Sequence, residues 1–105
     1  MTRRLRLQPE NIIVGLDLAG AQHHAVVCQA EGERLTRFRV PHSLVGFEDL
    51  ARRSRLLTPQ PSGRRVFAFE ATGHVWEALA HFLQAHGEEY VIVNPLATFR
   101  PAFRS

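Results

Sequence analysis

Two acidic residues of this chain stand where carboxylates could do chemistry together. Asp17 and Glu70 each end a short run of apolar residues. Apolar runs of this length that stop at a turn signal are typical of buried strands. A carboxylate at the end of such a strand is costly unless a cation or hydrogen-bond donors compensate its charge. If the two strands are neighbours, the carboxylates meet and could bind a divalent cation such as Mg²⁺ or Mn²⁺.

Each acidic residue also has a simpler interpretation. Asp17 could accept hydrogen bonds from backbone amides at the end of its strand. Glu70 could lie at the start of a helix, where the helix dipole favours a negative charge. For either residue alone, the simpler interpretation and metal binding remain open.

The hydrophobic pattern predicts five strands and two helices around these residues. Ser43 is expected to cap the first helix, and Gly87 to end the second. A further helix could begin within residues 96–103. The predicted strands are residues 12–17, 24–30, 34–40, 65–70 and 90–93, and the predicted helices are residues 43–53 and 74–86.

The connections between these elements predict the topology. Short turns join the first three strands into an antiparallel meander, whereas the helices link parallel strands through right-handed crossovers. The resulting fold class is α/β, with a five-stranded mixed sheet in the order 3-2-1-4-5. In this order Asp17 and Glu70 lie at the same edge of the sheet. The architecture is ribonuclease H-like.

The length of 105 residues allows one domain. We expect residues 1–10 to form a flexible basic leader and residues 11–105 to form the domain. No apolar run reaches membrane length, and no signal peptide is apparent, so a cytoplasmic location is expected. The single cysteine, Cys28, excludes an intramolecular disulfide and is expected to be a buried apolar residue.

The basic residues favour a nucleic-acid partner. All 13 are arginines, whose guanidinium groups bind phosphate in bidentate fashion, and the sequence pI is about 10.4. For each arginine cluster, a solvated protein face is the simpler interpretation. The candidate nucleic-acid-binding residues are Arg34, Arg37, Arg39, Arg52, Arg53, Arg64, Arg65, Arg100 and Arg104.

Other side chains offer weaker candidates. The six histidines lack the spacing of a zinc motif, and His23 and His24 should point to opposite faces of a strand. Trp76 could stack on a base, but its place in an apolar helical stripe favours a core position. No serine has a partner that would make it a nucleophile.

Four segments resemble the N-terminal DEDD domain of transposases of the insertion sequence 110 type. They are residues 13–19 (IVGLDLA), 37–42 (RFRVPH), 69–76 (FEATGHVW) and 91–96 (VIVNPL). The resemblance spans about residues 12–103. It implies a RuvC-like, ribonuclease H-like fold and a role in DNA transposition, with Mg²⁺ or Mn²⁺ as cofactor.

The resemblance also implies roles for individual residues. Asp17 matches the first acid of the family's catalytic tetrad, and Glu70 matches the second. In the family, the third and fourth acids follow the Asn-Pro element, and a separate C-terminal domain carries a serine. Because the last acidic residue here is Glu89, we expect a truncated, catalytically incomplete domain that binds metal weakly. The implied partners are DNA, a structured guide RNA, and either a second copy or the missing C-terminal part.

Two other functions remain as alternatives. Actin-like and sugar-kinase-like ATP-binding modules share this sheet, although residues 15–20 lack their usual phosphate-binding turn. A small RuvC-like Holliday-junction nuclease is the other, although it would need an acid after Glu89. Both predicted helices should cover the same face of the sheet. The other face would then be apolar and exposed, which predicts self-association, aggregation or marginal stability.

Overall fold

The architecture is a five-stranded mixed sheet with two helices on one face. A computed structural model describes residues 10–60 and 62–94. The elements are β1 (Ile12–Asp17), β2 (Gln22–Gln29), β3 (Arg34–Pro41), α1 (Leu44–Leu57), β4 (Arg65–Glu70), α2 (Val75–Ala85) and β5 (Glu89–Val93). The basic leader up to residue 9, the helix expected within residues 96–103, Arg100 and Arg104 lie outside the described residues.

The strand order is β3-β2-β1-β4-β5. β1 is antiparallel to β2 and parallel to β4, and β5 continues the parallel half of the sheet. This arrangement confirms the predicted ribonuclease H-like fold class. None of the helices in the described residues is long and apolar enough to cross a membrane.

Local sequence signals set most of the element ends. The Ser43 hydroxyl accepts a hydrogen bond from the Gly46 amide at 3.0 Å, which is the expected helix cap. Gly87 follows α2 with a φ of +70°, a conformation that glycine adopts without strain. α1 runs to Leu57, beyond its predicted end, and stops before Pro59, since the residue preceding a proline disfavours helical geometry.

The hydrophobic core fills the space between the helices and one face of the sheet. On β1 every second side chain is buried, starting at Ile12, and Phe67 and Phe69 extend this core on β4. The helices contribute residues such as Leu50 and Leu79, both fully buried. Leu44, predicted to belong to the apolar stripe of α1, is instead 62% exposed and is the first residue of that helix.

The side chains on the opposite face of the sheet, called the open face below, lie outside the core cluster that the two helices share with the sheet. Its side chains alternate with the core residues, and Cys28 on β2 is half-buried there rather than buried as expected. Burial still raises the pKa of the Cys28 thiol, and Arg34 opposes this.

The expected exposed apolar face is wrong for most of this surface, because Val66, Ala68 and Val93 are buried on it. In the described part of the sheet, the large exposed apolar side chains are Val91, on this face, and Ile92, which pairs with Phe69 of the core face, at 37% and 44% exposure.

Candidate metal centre and nucleic-acid surface

The register of β1 and β4 places Asp17 and Glu70 side by side. Leu16 pairs with Phe69 in the parallel ladder, so the next residue of each strand is a carboxylate. Neighbouring strands lie about 4.8 Å apart. Both residues follow the alternation of the open face, and Asp17 is exposed while Glu70 is half-buried. The predicted juxtaposition of the two strand ends is therefore present in the backbone.

A buried asparagine fixes this register at the other end of the two strands. Asn11 is 2% exposed, and its side-chain oxygen accepts a hydrogen bond from the Arg64 amide at 2.7 Å. The Ile12 amide in turn donates to the Arg64 carbonyl at 3.0 Å. A slip of one residue would break both bonds and move the core side chains to the open face.

Neither carboxylate has a side-chain partner in the described residues that would explain its position. Among residues 10–60 and 62–94, no side-chain hydrogen bond or ion pair engages Asp17 or Glu70. The backbone-bonded interpretation of Asp17 thus has no support. α2 is preceded by His74 as its N-terminal cap residue, so Glu70 lies four residues before the cap and does not interact as a first-turn acid.

The donor set fits a hard cation in part. Carboxylate oxygens are the ligands that Mg²⁺ prefers, and Mg²⁺ is commonly bound through one or two carboxylates with waters completing its shell. Within the described residues, no group of three or more His, Cys, Asp or Glu side chains could hold a metal ion. Asp17 and Glu70 are thus two carboxylates without a third protein ligand in the described residues, and they could supply two of the ligands of a Mg²⁺ ion.

A buried histidine anchors the turn that follows Asp17. His23 is fully buried, and its Nδ1 accepts a hydrogen bond from the Ala19 amide at 3.0 Å. Its Nε2 lies 2.9 Å from Nδ1 of His42. Since Nδ1 of His23 is an acceptor, Nε2 carries the proton and donates to His42.

Burial keeps His23 neutral. Desolvation is the main reason that its pKa is lowered, followed by the proximity of His42, while Asp17 acts in the opposite direction and His24 adds slightly to the lowering. The sequence predicted opposite faces for His23 and His24, and their exposures agree. The sequence did not predict the hydrogen bond between His23 and His42. The only indication in the sequence was the alternation along β2, which places His23 on the core side.

Most of the candidate arginines in the described residues are engaged in ion pairs. Arg52 and Arg53 pair with Asp49, and Arg53 also lies 4.7 Å from the centroid of the Phe38 ring. These partners lie on α1 and the neighbouring edge strand.

The arginines of β4 and its approach are paired as well. Arg64 forms a bidentate pair with Glu89, at 2.7 and 2.6 Å, which lowers the pKa of the Glu89 carboxyl. Arg65 contacts both oxygens of Glu88, at 3.0 and 3.2 Å, and Arg55 lies 3.6 Å from the same carboxylate. These contacts tie β4 to the start of β5.

The arginines of β3 differ. Arg34, Arg37 and Arg39 are exposed, and in the described part of the chain no ion pair or side-chain hydrogen bond engages them. The nine candidates named from the sequence thus divide into four with structural partners, three without, and two outside the described residues.

The fold and the strand-end carboxylates define a class: a ribonuclease H-like α/β domain that presents two acidic residues on the open face of its sheet. Comparison with known protein families matches residues 14–103 to the transposase family of the insertion sequence 110 type, with its DEDD domain. Because the match covers most of the 105 residues, the chain belongs to this transposase family. Its general role is therefore in DNA transposition. No curated protein matches the chain.

Proposed function

We propose that Asp17 and Glu70 provide two of the carboxylate ligands of a divalent metal site that serves the DNA chemistry of a transposase. The observation that carries this proposal is the β1–β4 register, which brings two carboxylates to one edge and one face of the sheet; within residues 10–60 and 62–94 neither has a side-chain partner. In the DEDD transposase family, to which the chain belongs, such acids act with divalent metal on DNA.

The two side chains have separate tasks in this proposal. Asp17 and Glu70 would hold a divalent ion, which would supply the Lewis acidity that polarises a phosphoryl oxygen. Asp17, the more exposed, faces the incoming phosphate, and Glu70 binds from the more protected position on β4. The hydrogen bond from the Ala19 amide to His23 fixes the backbone directly after Asp17, so the carboxylate is presented from a rigid position.

The 105-residue chain is expected to bind metal without cutting DNA. Two carboxylates leave most of a two-metal coordination shell to water, and the sequence contains no acidic residue after Glu89. The remaining ligands would come from a second copy or from a C-terminal part of the transposase. Together with DNA and a structured guide RNA, these are the partners we propose. We expect the site of action to be the cytoplasm.

Calorimetric titration with Mn²⁺ and Mg²⁺ tests the metal site. We expect weak binding by the 105-residue chain and its loss in both Asp17→Asn and Glu70→Gln. Glu48→Gln is the matched control, because Glu48 is an exposed carboxylate on α1 that forms no ion pair with the other described residues. Equal binding by all four proteins would remove the proposed site.

A DNA cleavage assay tests the catalytic part of the proposal. Incubation with duplex DNA and Mg²⁺ should give no cleavage above a metal-free control. Mg²⁺-dependent cleavage that disappears in Glu70→Gln would show that the chain already contains a complete site.

Self-association is supported by the exposed apolar side chains of β5. This strand is at the edge of the sheet, and Val91 and Ile92 are exposed there. Edge strands with exposed apolar residues readily pair with another chain. Sedimentation velocity should show a dimer or larger species that the double variant Val91→Thr, Ile92→Thr shifts towards monomer. A monomeric parent chain at high concentration would contradict this.

A further inference from the structure

A bulge in β3 brings three arginines onto one face. Val27 pairs with Thr36, but the next residue, Cys28, pairs with Arg34, so Leu35 is an extra residue in the ladder. Without it, Arg34 would point towards the helices, since it is three residues from Arg37. With it, Leu35 packs against the core while Arg34 joins the open face.

The three arginines form one margin of the open face. Arg39, Arg37 and Arg34 pair with His24, Val26 and Cys28 of β2, which are successive residues on that face. Alternate residues of a strand are about 6.8 Å apart, so the guanidinium groups follow one another along the edge. The result is a linear array of positive charge on an edge strand.

This array ends beside the proposed metal ligands. Arg39 pairs with His24, and His24 pairs with Asp17 in the neighbouring ladder. Arg39 and Asp17 are therefore separated by two strand spacings, roughly 10 Å, on the same face of the sheet. Glu70 is the next residue in that row, on β4.

The lack of ion pairs separates this array from the other arginines. Arg52, Arg53 and Arg64 have carboxylate partners, whereas the three arginines of β3 have none among the described residues. An arginine without a protein carboxylate keeps its full charge and its bidentate geometry for a phosphate. Charged residues on an edge strand can also serve only to prevent edge-to-edge pairing of sheets. The experiment below distinguishes this role from DNA binding.

We propose that Arg34, Arg37 and Arg39 form a track that binds the sugar-phosphate backbone of duplex DNA and leads it to Asp17 and Glu70. The inference rests on the proposed function and adds the surface by which DNA is placed. Duplex rather than single-stranded DNA is the occupant because the strand positions of the open face carry no Phe, Tyr or Trp in the described residues, and single strands are bound chiefly by stacking on aromatic rings. The contact is to phosphates, so it is independent of base sequence.

Fluorescence anisotropy with a labelled DNA duplex of arbitrary sequence tests the track. The 105-residue chain is compared with Arg34→Gln/Arg37→Gln/Arg39→Gln and with the matched control Arg52→Gln/Arg53→Gln/Arg64→Gln, which loses the same charge. We expect the track variant to bind at least about tenfold more weakly at low salt. Its log–log salt dependence should be shallower by about 2.7, one increment of about 0.9 for each of three phosphates. The control should keep the parent slope.

Any other outcome of this DNA-binding experiment would overturn the inference. Equal losses in both variants would show that net charge alone attracts DNA, and unchanged binding by the track variant would show that β3 is only a protected edge. Tighter binding to a single strand or to duplex RNA through the same residues would identify a different occupant. Absence of DNA binding by the parent chain at low salt would overturn both the track and the DNA role. Failure of the Mn²⁺ titration alone would leave the track standing.

Discussion

The two faces of this sheet are made from the same strands but have opposite character. On the helix-covered face Ile12, Val14 and Leu16 of β1 are buried and pack with the aromatic rings of β4. On the open face, Ile13 and Gly15 of β1 are half-buried and Val66 and Ala68 of β4 are buried, and the two strands end in Asp17 and Glu70. The helix-covered face contains the core cluster, whereas the open face presents Asp17 and Glu70, which have no side-chain hydrogen bond or ion pair among the described residues.

The comparison shows how a single register sets both properties. A slip of one residue between β1 and β4 would expose the core and bury the carboxylates. Stability on the covered face therefore enforces the position of Asp17 and Glu70 on the open one. Acidic residues that contribute little to folding can be retained there without loss of structure.

The largest contrast in the free energy of unfolding is expected between alanine substitutions on the two faces. Phe67 is fully buried, so Phe67→Ala should lower the free energy of unfolding by about 3–5 kcal/mol through lost burial and a residual cavity. Val91→Ala on the open face should cost less than about 1 kcal/mol, since Val91 is already 37% exposed. Urea denaturation measures both. Similar costs for the two variants would remove the distinction between the faces.

A smaller contrast is expected between two arginine pairs at the start of β4. The Glu88 side chain is only 5% exposed, so Arg65→Gln leaves a nearly buried carboxylate without its bidentate partner and should cost about 1–3 kcal/mol. The Arg64–Glu89 pair is half-exposed on both sides, and Arg64→Gln should cost about 0–1 kcal/mol. Thermal or urea unfolding of both variants gives the comparison, and a larger loss in Arg64→Gln would contradict it.

The smallest expected effect is a pH dependence at His23. Its pKa is lowered from 6.5, mainly by burial, while His42, Asp17 and His24 are the titratable groups near it. Between the two pKa values the unfolded chain binds more protons, so stability is complete above pH 6.5 and falls as the pH drops towards the lowered value. The slope from this one group is at most about 1.4 kcal/mol per pH unit.

Two variants isolate this effect. His23→Asn removes the titration and should flatten the stability profile below pH 6.5, whereas His24→Asn on the open face should leave it in place. Denaturation midpoints measured from pH 5 to pH 8 would show this. An unchanged slope in His23→Asn would mean that other groups cause the acid sensitivity.

The sequence was sufficient to predict the strand order, and with it the placement of Asp17 and Glu70 at the ends of neighbouring strands. Short turns and right-handed crossovers leave few topologies, and both acids end clear apolar runs. The caps at Ser43 and Gly87 followed from local chemistry. The strand order and the helix ends could be predicted because they depend on residues close in sequence or on the handedness and length of the connections between strands.

Features that depend on distant contacts could not be predicted in the same way. The bulge at Leu35 is visible only in the pairing of two strands, and it decides where Arg34 points. The His23–His42 bond joins residues 19 apart. Which arginines are neutralised depends on where the end of α2 places Glu88 and Glu89 next to β4. The composition predicted an arginine-rich surface, but it could not predict which arginines form ion pairs and which do not.

The most direct test of the central claim is localisation of a bound divalent ion by NMR. Mn²⁺ broadens the signals of nearby amides, so a titration of the 15N-labelled chain reports the site without relying on activity. We predict that broadening begins at the amides around Asp17 and Glu70 and is absent there in Asp17→Asn. Broadening that begins instead around Asp49 or Glu88, or that is unchanged in Asp17→Asn, would contradict the assignment of these two carboxylates as metal ligands.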